Sequence, residues 1–339
     1  MFKEKICEDL SDSDILIDVR SPKEYNEAHI TGAINLPILT DEEREEVGTI
    51  YTKNTEEAKL LAVKYGSNKI FDLFKSFVSL YEKDKNIILY CARGGMRSSC
   101  LASMIDSLGY RVFKLKGGFK AYRNFIIASI PKVNENIKYV MLHGKTGVGK
   151  TILLKRLKES GFDTLDFEEA ANHRGSALGS IGLGKCNSQK YFESYIYESL
   201  KNRMSNLVFV EAESKRVGNS FIPDSVENSM EEGFHILIEL PMMERIKILK
   251  EEYLNFENVD EEIKESIIKS SKNLGIKLTT RLLDLLSTKN YDEFIELINI
   301  KYYDPLYEKS IKKYDYDLKI YSIDNAIDQI INFIRHQYQ

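Results

Sequence analysis

Cysteine is scarce in this 339-residue chain, and its four cysteines form no pattern. Cys7, Cys91, Cys100 and Cys186 include no C-x-x-C pair, which argues against a disulfide framework and against a structural zinc site. No apolar run approaches the roughly 18 residues of a transmembrane helix, and the first residues lack the apolar stretch of a signal peptide. We therefore expect a cytoplasmic protein that keeps its thiols reduced and makes no contact with a membrane.

A large excess of either charge is also missing. The net charge of −4 does not by itself indicate a nucleic-acid-binding protein. The stretch from residue 91 to residue 123, however, contains seven basic residues and one acidic residue, which gives it a net charge of +6. Local positive potential matters more to an anionic partner than the total charge does. The stretch surrounds Cys91 and is therefore a candidate anion site.

The order of apolar strands and helices predicts two α/β domains. Residues 1–130 alternate short strands with helices, as an open α/β domain does. We expect a linker at residues 131–137, around Pro131, and a second domain over residues 138–339. From residue 242 onward the pattern is mostly helical. The length of the chain is also that of two domains.

A thiol stands at the mouth of a glycine- and arginine-rich loop. The apolar run 86–90 predicts a buried strand, and Cys91 follows it directly. Backbone N–H groups at such a strand end, together with Arg93 and Arg97, would lower the thiol pKa and stabilise a thiolate. We predict that Cys91, Arg93 and Arg97 are catalytic. The alternative is a buried, inert cysteine; we assign that role to Cys7 and Cys186, and we place Cys100 in the core of the following helix.

Two stretches of the first domain are similar to known signatures. The run 18–37, from Asp18-Val19-Arg20 to Asn35-Leu36-Pro37, resembles the first signature of rhodanese domains, and 91–98 resembles their active-site loop. Gly117-Gly118-Phe119 matches the segment that closes that domain. The resemblance implies a chalcogen atom carried on Cys91 as a persulfide-type anion. Asp18 and Arg20 are expected to form a structural ion pair.

A complete G-x-x-x-x-G-K-[ST] phosphate loop lies between an apolar strand (138–143) and a predicted helix (150–159). In such a loop, backbone N–H groups surround anionic oxygens, the lysine reaches the terminal phosphates, and the hydroxyl of Thr151 can hold Mg²⁺. Glu211 and Asp166 are the candidates for the acidic residue that usually accompanies the loop. The predicted phosphate- or diphosphate-binding residues are Gly144, Lys145, Thr146, Gly147, Val148, Gly149, Lys150 and Thr151.

Three further stretches of the second domain carry polar or aromatic groups that suit a site. They are the run 173–176, the strand end and loop at 211–218, and the tyrosine-rich run 302–307. The strand end is where ligands bind in α/β sheets, and the tyrosines could serve as platforms for bases or an isoprenoid, or as a packed turn. The residues that we expect to contact substrate or tRNA are His173, Arg174, Glu211, Glu213, Ser214, Arg216 and Tyr303.

Together these motifs resemble the bacterial and archaeal tRNA 2-selenouridine synthases over essentially the whole chain. The fold expected from the resemblance is α/β, with an N-terminal rhodanese-like open α/β domain followed by a P-loop NTPase-like α/β domain with a helical C-terminal part. The implied reaction replaces the sulfur of wobble 2-thiouridine in tRNA by selenium from selenophosphate. The resemblance also implies an S-geranyl intermediate made with geranyl diphosphate. It further implies a selenophosphate-producing enzyme as a partner.

Two other functions stay open at this point. One is a sulfurtransferase domain fused to an ATP-dependent kinase or ATPase, for which the phosphate loop would bind a nucleotide. The other is a carrier without catalytic activity that delivers its chalcogen to a partner enzyme. The sequence motifs show phosphate binding and a reactive thiol, and both alternatives retain these two features.

Overall fold

The computed structural model describes residues 3–176, 178–308 and 314–337. The chain forms two compact units, the first ending at Ser129 and the second beginning at Ile130. Each unit is built on its own five-stranded parallel sheet. The α/β class predicted for both parts is confirmed.

The sheet of the first unit places its most buried strand at the centre. Its strands are β1 (Lys3–Lys5), β2 (Ile15–Asp18), β3 (Ile34–Asn35), β4 (Ile87–Tyr90) and β5 (Val112–Leu115). Their order is β1-β5-β4-β2-β3, so β4 is the middle strand. All four residues of β4 are fully buried, as an apolar strand covered on both faces requires. Cys91 therefore emerges at the carboxyl end of the central strand.

Helices cover this sheet and connect its strands. They are α1 (Pro22–Glu27), α2 (Asp41–Tyr51), α3 (Thr55–Ser67), α4 (Ile70–Leu80), α5 (Met96–Ser107) and α6 (Gly118–Val133), with a 3₁₀ turn at Cys7–Asp9. Helix α1 begins with the capping box read from the sequence, in which Ser21 and Glu24 satisfy each other's backbone N–H groups. Helix α5 buries Ser98, Leu101, Ala102 and Ile105. Cys100 is exposed, which corrects the core position expected for it, because it faces away from that buried stripe.

The second unit also has a motif directly after the central strand of its sheet, and here that motif is the phosphate loop. Its sheet has the order β12-β11-β6-β8-β7, and β6 is the middle strand. The strands are β6 (Lys138–His143), β7 (Asp163–Leu165), β8 (Leu207–Glu211), β11 (Phe234–Glu239) and β12 (Tyr316–Lys319), with a separate antiparallel pair, β9 (Arg216–Val217) and β10 (Ser220–Phe221).

The helices of the second unit fall into two groups. Those that accompany the sheet are α7 (Lys150–Glu159), α8 (Phe167–Ala171), α9 (Gln189–Lys201), α10 (Asp224–Glu231), α11 (Met242–Tyr253) and α17 (Asp324–Gln337). The predicted helical C-terminal part holds α12 (Val259–Lys269), α13 (Ser271–Leu274), α14 (Ile276–Ser287), α15 (Tyr291–Ile298) and α16 (Asp304–Glu308), with a π-helical turn at Asn299–Tyr303. Helices α12, α14 and α15 bury Ile267, Leu282 and Phe294 in a core cluster that they share with Ile246 and Leu249 of α11.

Residues 131–137, expected as a linker, are partly helical. Helix α6 continues through Pro131 to Val133, although Pro131 has no N–H to donate to the carbonyl four residues earlier. Asn134 then fixes the chain, since its side chain donates to the Ser225 carbonyl at 2.9 Å and accepts from the Tyr139 hydroxyl at 2.6 Å.

A buried arginine joins the helical C-terminal part to the phosphate loop. Arg245, on α11, is 4% exposed and pairs in a two-pronged manner with Asp304 at 2.7 and 2.9 Å. Its Nη2 also donates to Asn299 Oδ1 at 3.1 Å. Its Nε donates to the backbone carbonyl of Thr146 at 2.8 Å, inside the phosphate loop. One guanidinium thus ties three separate segments together.

Arg245→Ala should destabilise the protein strongly, because it removes both hydrogen bonds to the buried Asp304 carboxylate and leaves it the more distant Lys145, 3.8 Å away. We expect a loss of about 3–5 kcal/mol in the free energy of unfolding of the second unit. Urea unfolding followed by circular dichroism measures it. Arg281→Ala, which removes an exposed ion pair with Asp284 and Glu293, is the control and should have little effect. Equal effects of the two substitutions would contradict the role given to Arg245.

Candidate functional site

The Cys91 sulfur lies in a cradle of hydrogen-bond donors. The Gly95 N–H and the Ser98 hydroxyl each donate to Sγ at 3.2 Å. Burial, the largest influence, raises the pKa of Cys91, but hydrogen bonds from Ser98 and from the Arg93 backbone, with the charge of Arg97, lower it below its usual value. The side chain is only 3% exposed. Two donors therefore face the sulfur, an arrangement that favours its thiolate form.

Glycines allow the loop to close around the sulfur. Gly94 has a φ of +62° and Gly118 one of +59°, a region that favours glycine. A Cβ on Gly118 would stand 2.1 Å from the Cys91 carbonyl oxygen. At the same place the Phe119 N–H donates to that carbonyl at 2.9 Å. The segment 117–119 thus packs against the backbone of the Cys91 loop and holds it in place.

The two arginines of the loop occupy different positions. Arg97 pairs with Glu24, with its Nη1 2.6 Å and its Nη2 3.3 Å from the two carboxylate oxygens. Arg93 is exposed, and its side chain forms no hydrogen bond or ion pair with any residue between 3 and 129. Arg93 is therefore free to meet an incoming anion, whereas Arg97 is held by Glu24.

The ion pair expected between Asp18 and Arg20 is present and buried. Arg20 Nε lies 3.0 Å from each oxygen of Asp18, and Nη2 donates to the Ala28 carbonyl at 2.8 Å. The guanidinium also lies 4.0 Å from the centre of the Phe119 ring. The pair supports the strand end below the thiol loop and does not enter the thiol cradle.

The phosphate loop has the backbone that its glycines predict. It runs from the end of β6 to the start of α7, and Gly149 has a φ of +81° at the N-cap of that helix. Lys150 Nζ donates to the Gly144 carbonyl at 3.2 Å, so the lysine lies back across the loop. The side chain of Lys145 differs, since it forms an ion pair with Glu308 at 2.7 Å. The charge of Lys145 is therefore paired with a carboxylate in this structure, unlike that of Lys150.

Three carboxylates gather beside Thr151. Glu211 ends β8 next to the central strand, and the nearest oxygens of Glu168, Glu211 and Glu213 lie within 4.8 Å of one another. Burial is the largest cause that raises the pKa of all three, and the charges of neighbouring carboxylates add to it, whereas the charge of Lys150 opposes the shift in each of them. Asp166 instead caps α8, accepting the Glu169 N–H at 2.8 Å. Of the two acidic candidates, Glu211 is the one at the phosphate loop; Glu168 was not predicted.

The runs 173–176 and 211–218 pack against each other. A Cβ on Gly218 would stand 2.9 Å from the His173 side chain, and one on Gly175 would stand 2.5 Å from the Glu213 carboxylate. Burial lowers the pKa of His173, with the charges of Arg174 and Arg216 adding to it. Both glycines are therefore required for this close packing.

Arg174, Ser214 and Arg216 form contacts within the protein. Arg174 Nε lies 2.9 Å from Glu252, and its guanidinium stacks 4.6 Å from the centre of the Tyr253 ring. In the β9–β10 hairpin, the Ser214 hydroxyl donates to the Arg216 carbonyl at 2.7 Å, and Arg216 stays exposed.

An apolar pocket of about 40 Å³ opens beside the phosphate loop. Thr146 of the loop forms part of its wall, and Tyr303 lines it from the helical part. Its remaining lining is chiefly aliphatic and aromatic: Leu178, Leu249, Tyr253, Leu254, Ile263, Tyr291, Phe294, Ile295 and Ile298, with Ser176 and Asn299. An apolar pocket that shares a wall with a diphosphate loop suits a ligand with an apolar chain and an anionic end.

Comparison with known proteins bears on both units. Residues 3–125 match the rhodanese-like domain, and residues 137–339 match the tRNA 2-selenouridine synthase AAA domain. The tRNA 2-selenouridine synthase of Sulfurovum sp. is 31% identical over 331 residues, covering 88% of this chain and 89% of that protein. The chain belongs to the tRNA 2-selenouridine synthase family. The synthase of Hydrogenovibrio crunogenus is 32% identical over 88% of this chain and 89% of its own, and that of Nitrosomonas europaea 35% over 70% and 63%.

Membership of this family confirms the predicted order of a rhodanese domain and a P-loop domain, and it indicates an enzyme that modifies tRNA. Among the residues that the structure describes, no helix has the length and apolar character needed to cross a membrane. The roles given to individual site residues of this synthase family member stay predictions, supported by the geometry above.

Ser98→Ala should raise the pKa of Cys91, because it removes a hydrogen bond that stabilises the thiolate. The pH profile of iodoacetamide alkylation at Cys91, read from the mass of its peptide, should shift to higher pH. Ser107→Ala, at the exposed end of the same helix, is the matched control. An unshifted profile in Ser98→Ala would show that the hydroxyl does not stabilise the anion.

Proposed function

We propose that this chain converts wobble 2-thiouridine of tRNA into 2-selenouridine with selenophosphate, through an S-geranyl intermediate made from geranyl diphosphate. Membership of the synthase family supports the tRNA substrate. The observation that carries the geranyl step is the apolar pocket that shares Thr146 with the phosphate loop. As it stands, the pocket is smaller than a geranyl chain, so its aliphatic walls must part when the chain enters.

The phosphate loop would bind the diphosphate of the donor. Its backbone N–H groups and the α7 N-terminus favour anionic oxygens, and Lys150 supplies a positive charge at its mouth. In the transfer, a bond forms between the thiouridine sulfur and the first carbon of the geranyl chain. The bond from that carbon to the diphosphate oxygen breaks, and the proton on N3 of the base is released. Lys150 would stabilise the charge that develops on the leaving diphosphate.

The residues beside the loop fit a magnesium ion. Glu211 is 1% exposed, and its Oε1 has no hydrogen-bond partner among the described residues, as expected of an oxygen that awaits a cation. The hydroxyl of Thr151 and the carboxylate of Glu211 would hold the ion, with Glu168 and Glu213 next to them. Bound there, Mg²⁺ would neutralise diphosphate oxygens.

Cys91 would carry the selenium. A selenium anion attached to its sulfur gains from the same donors that stabilise the thiolate, and the exposed Arg93 would attract the anionic donor. Loading forms the bond between selenium and the Cys91 sulfur and breaks the P–Se bond of selenophosphate; water completes the phosphate, and a disulfide takes up the two electrons and becomes two thiols. At C2 of the uridine a bond to selenium then forms while the bond to the alkylated sulfur breaks, so geranyl thiol leaves. The two thiols then reduce the S–Se bond, which frees Cys91 and the 2-selenouridine and re-forms the disulfide. An alkylated sulfur is a better leaving group than a thione, which explains the need for two steps.

Cys91→Ala should abolish 2-selenouridine while S-geranyl-2-thiouridine persists, because only the selenium step needs the thiol. Nucleoside mass spectrometry of tRNA, from cells whose own gene is deleted and which express the variant, measures both products. Cys100→Ala, which removes an exposed thiol of the next helix, should keep the wild-type pattern. Unchanged 2-selenouridine in Cys91→Ala would rule out the carrier role; restoration by another thiol protein would support the carrier that acts without catalysis.

Lys150→Ala should lower the rate of S-geranylation by about 100-fold or more, because it removes a charge that stabilises the leaving diphosphate. The assay follows S-geranyl-2-thiouridine in 2-thiouridine-containing tRNA supplied with geranyl diphosphate and Mg²⁺. Lys269→Ala, an exposed lysine of α12, is the control. Rapid release of phosphate from ATP by the wild-type protein without tRNA, together with normal geranylation by Lys150→Ala, would favour the kinase or ATPase alternative.

A further inference from the structure

A polar cleft lies beside the apolar pocket and shares a wall with it. The cleft has a volume of about 500 Å³ and is open to solvent. Glu252 and Arg174 line the cleft, whereas the next residue along α11, Tyr253, lines the apolar pocket. The Arg174 guanidinium stacks on the Tyr253 ring and pairs with Glu252, so these three side chains form the partition.

The phosphate loop reaches both sides of this partition. Thr146, near the start of the loop, lines the apolar pocket, and Thr151, at its end, lines the cleft. A diphosphate bound by the loop would therefore have an apolar chamber on one side and a polar chamber on the other. A group-transfer reaction needs such an arrangement when donor and acceptor differ in polarity.

The lining of the cleft carries charged and polar groups that suit a nucleotide. Carboxylates and a hydroxyl, from Asp166, Glu169 and Thr164, can accept hydrogen bonds from ribose hydroxyls and from the N–H edge of a base. Lys155 and Lys158, one turn apart on α7, line the same cleft and are exposed. Neither lysine forms an ion pair or hydrogen bond with another residue of the described ranges, so both charges are available to phosphates.

We propose that this cleft is the acceptor site, where the wobble nucleotide enters and Lys155 and Lys158 bind phosphates of the anticodon strand. The proposal rests on the proposed function, since it places the acceptor opposite the geranyl chain. The volume matches that of sites for small molecules of nucleotide size. Neighbouring Arg156 pairs with Asp324 instead, and the charged residues of α7 in the described lining of the cleft are the two unpaired lysines.

The experiment compares Lys155→Gln/Lys158→Gln with Lys272→Gln/Lys277→Gln in the full chain. The control removes the same charge from exposed lysines of the helical part, outside the cleft. Binding of a 2-thiouridine-containing anticodon stem-loop is measured by fluorescence anisotropy over a range of salt. We expect the cleft variant to lower the slope of log affinity against log salt by about 1.4, or ~0.7 for each lost phosphate contact with single-stranded RNA. The control should keep the wild-type slope.

A second measurement locates the base directly and needs no geranyl diphosphate. A stem-loop with 4-thiouridine at the wobble position is photo-crosslinked to the wild-type protein, and the attached peptide is identified by mass spectrometry. Crosslinks within 151–158 or 164–174, or at Leu183 or Glu252, would support the acceptor site, because these residues line the cleft. Crosslinks confined to other segments, or equal salt slopes in the two double variants, would overturn it. Crosslinks in the cleft with no geranyl transfer by the wild-type protein would refute the proposed geranyl chemistry while leaving the nucleotide site in place.

Discussion

The guanidinium of Arg245 is the interaction on which the second unit depends. It is buried, and its N–H groups donate hydrogen bonds to the Thr146 carbonyl, the Asp304 carboxylate and the Asn299 side chain. Because Asn299 also donates to the Ile295 carbonyl, the arginine fixes the π-helical turn that follows α15. That turn places Tyr303 in the wall of the apolar pocket. The shape of the phosphate loop and that of the pocket are therefore set by one side chain.

Both units place an anion-binding segment directly after the central strand of their sheet, and the two segments differ in chemistry. In each, the central strand of a parallel sheet is apolar and buried, and the segment after it leaves the sheet at its carboxyl edge. There the loop and the N-terminus of the following helix have backbone N–H groups without a partner in the sheet. The first unit adds a thiol there and surrounds its sulfur with donors. The second adds a glycine-rich loop and a lysine. A thiolate and a phosphate are both anions, and the same backbone geometry stabilises either.

Local patterns predicted what depends on neighbours in sequence. The strand before Cys91, the capping box at Ser21, and the strand–loop–helix around Lys150 all follow from residues within one turn or one strand of each other. Pairing across long separations could not be predicted. Arg97 meets Glu24 across 73 residues, and Lys145 meets Glu308 across 163. The sequence predicted both cations as anion ligands, because the carboxylate that pairs with each of them lies far away along the chain.

The same limit explains Glu168 and Asp304. Glu168 stands in an ordinary acidic stretch at the start of α8, and only the position of that short helix brings it to Glu211 and Thr151. Asp304 lies among tyrosines that suggest an aromatic platform, yet its carboxylate is the partner of Arg245. Its neighbour Tyr303 does line a pocket. The tyrosine-rich run therefore combines a structural acid with a pocket-lining ring in adjacent positions.

The partition built by Arg174 shows why the run 173–176 is more than a solvated loop. The Arg174 guanidinium forms an ion pair with Glu252 and stacks on the Tyr253 ring, so both contacts hold the side chain in the wall between the cleft and the apolar pocket. A donor that is apolar at one end and anionic at the other needs surroundings of both kinds within the length of one loop. Water admitted to the apolar side would compete with the acceptor for the reactive carbon. A paired arginine whose ring-stacked face lies against the pocket wall separates the two chambers while its own charge stays neutralised by Glu252.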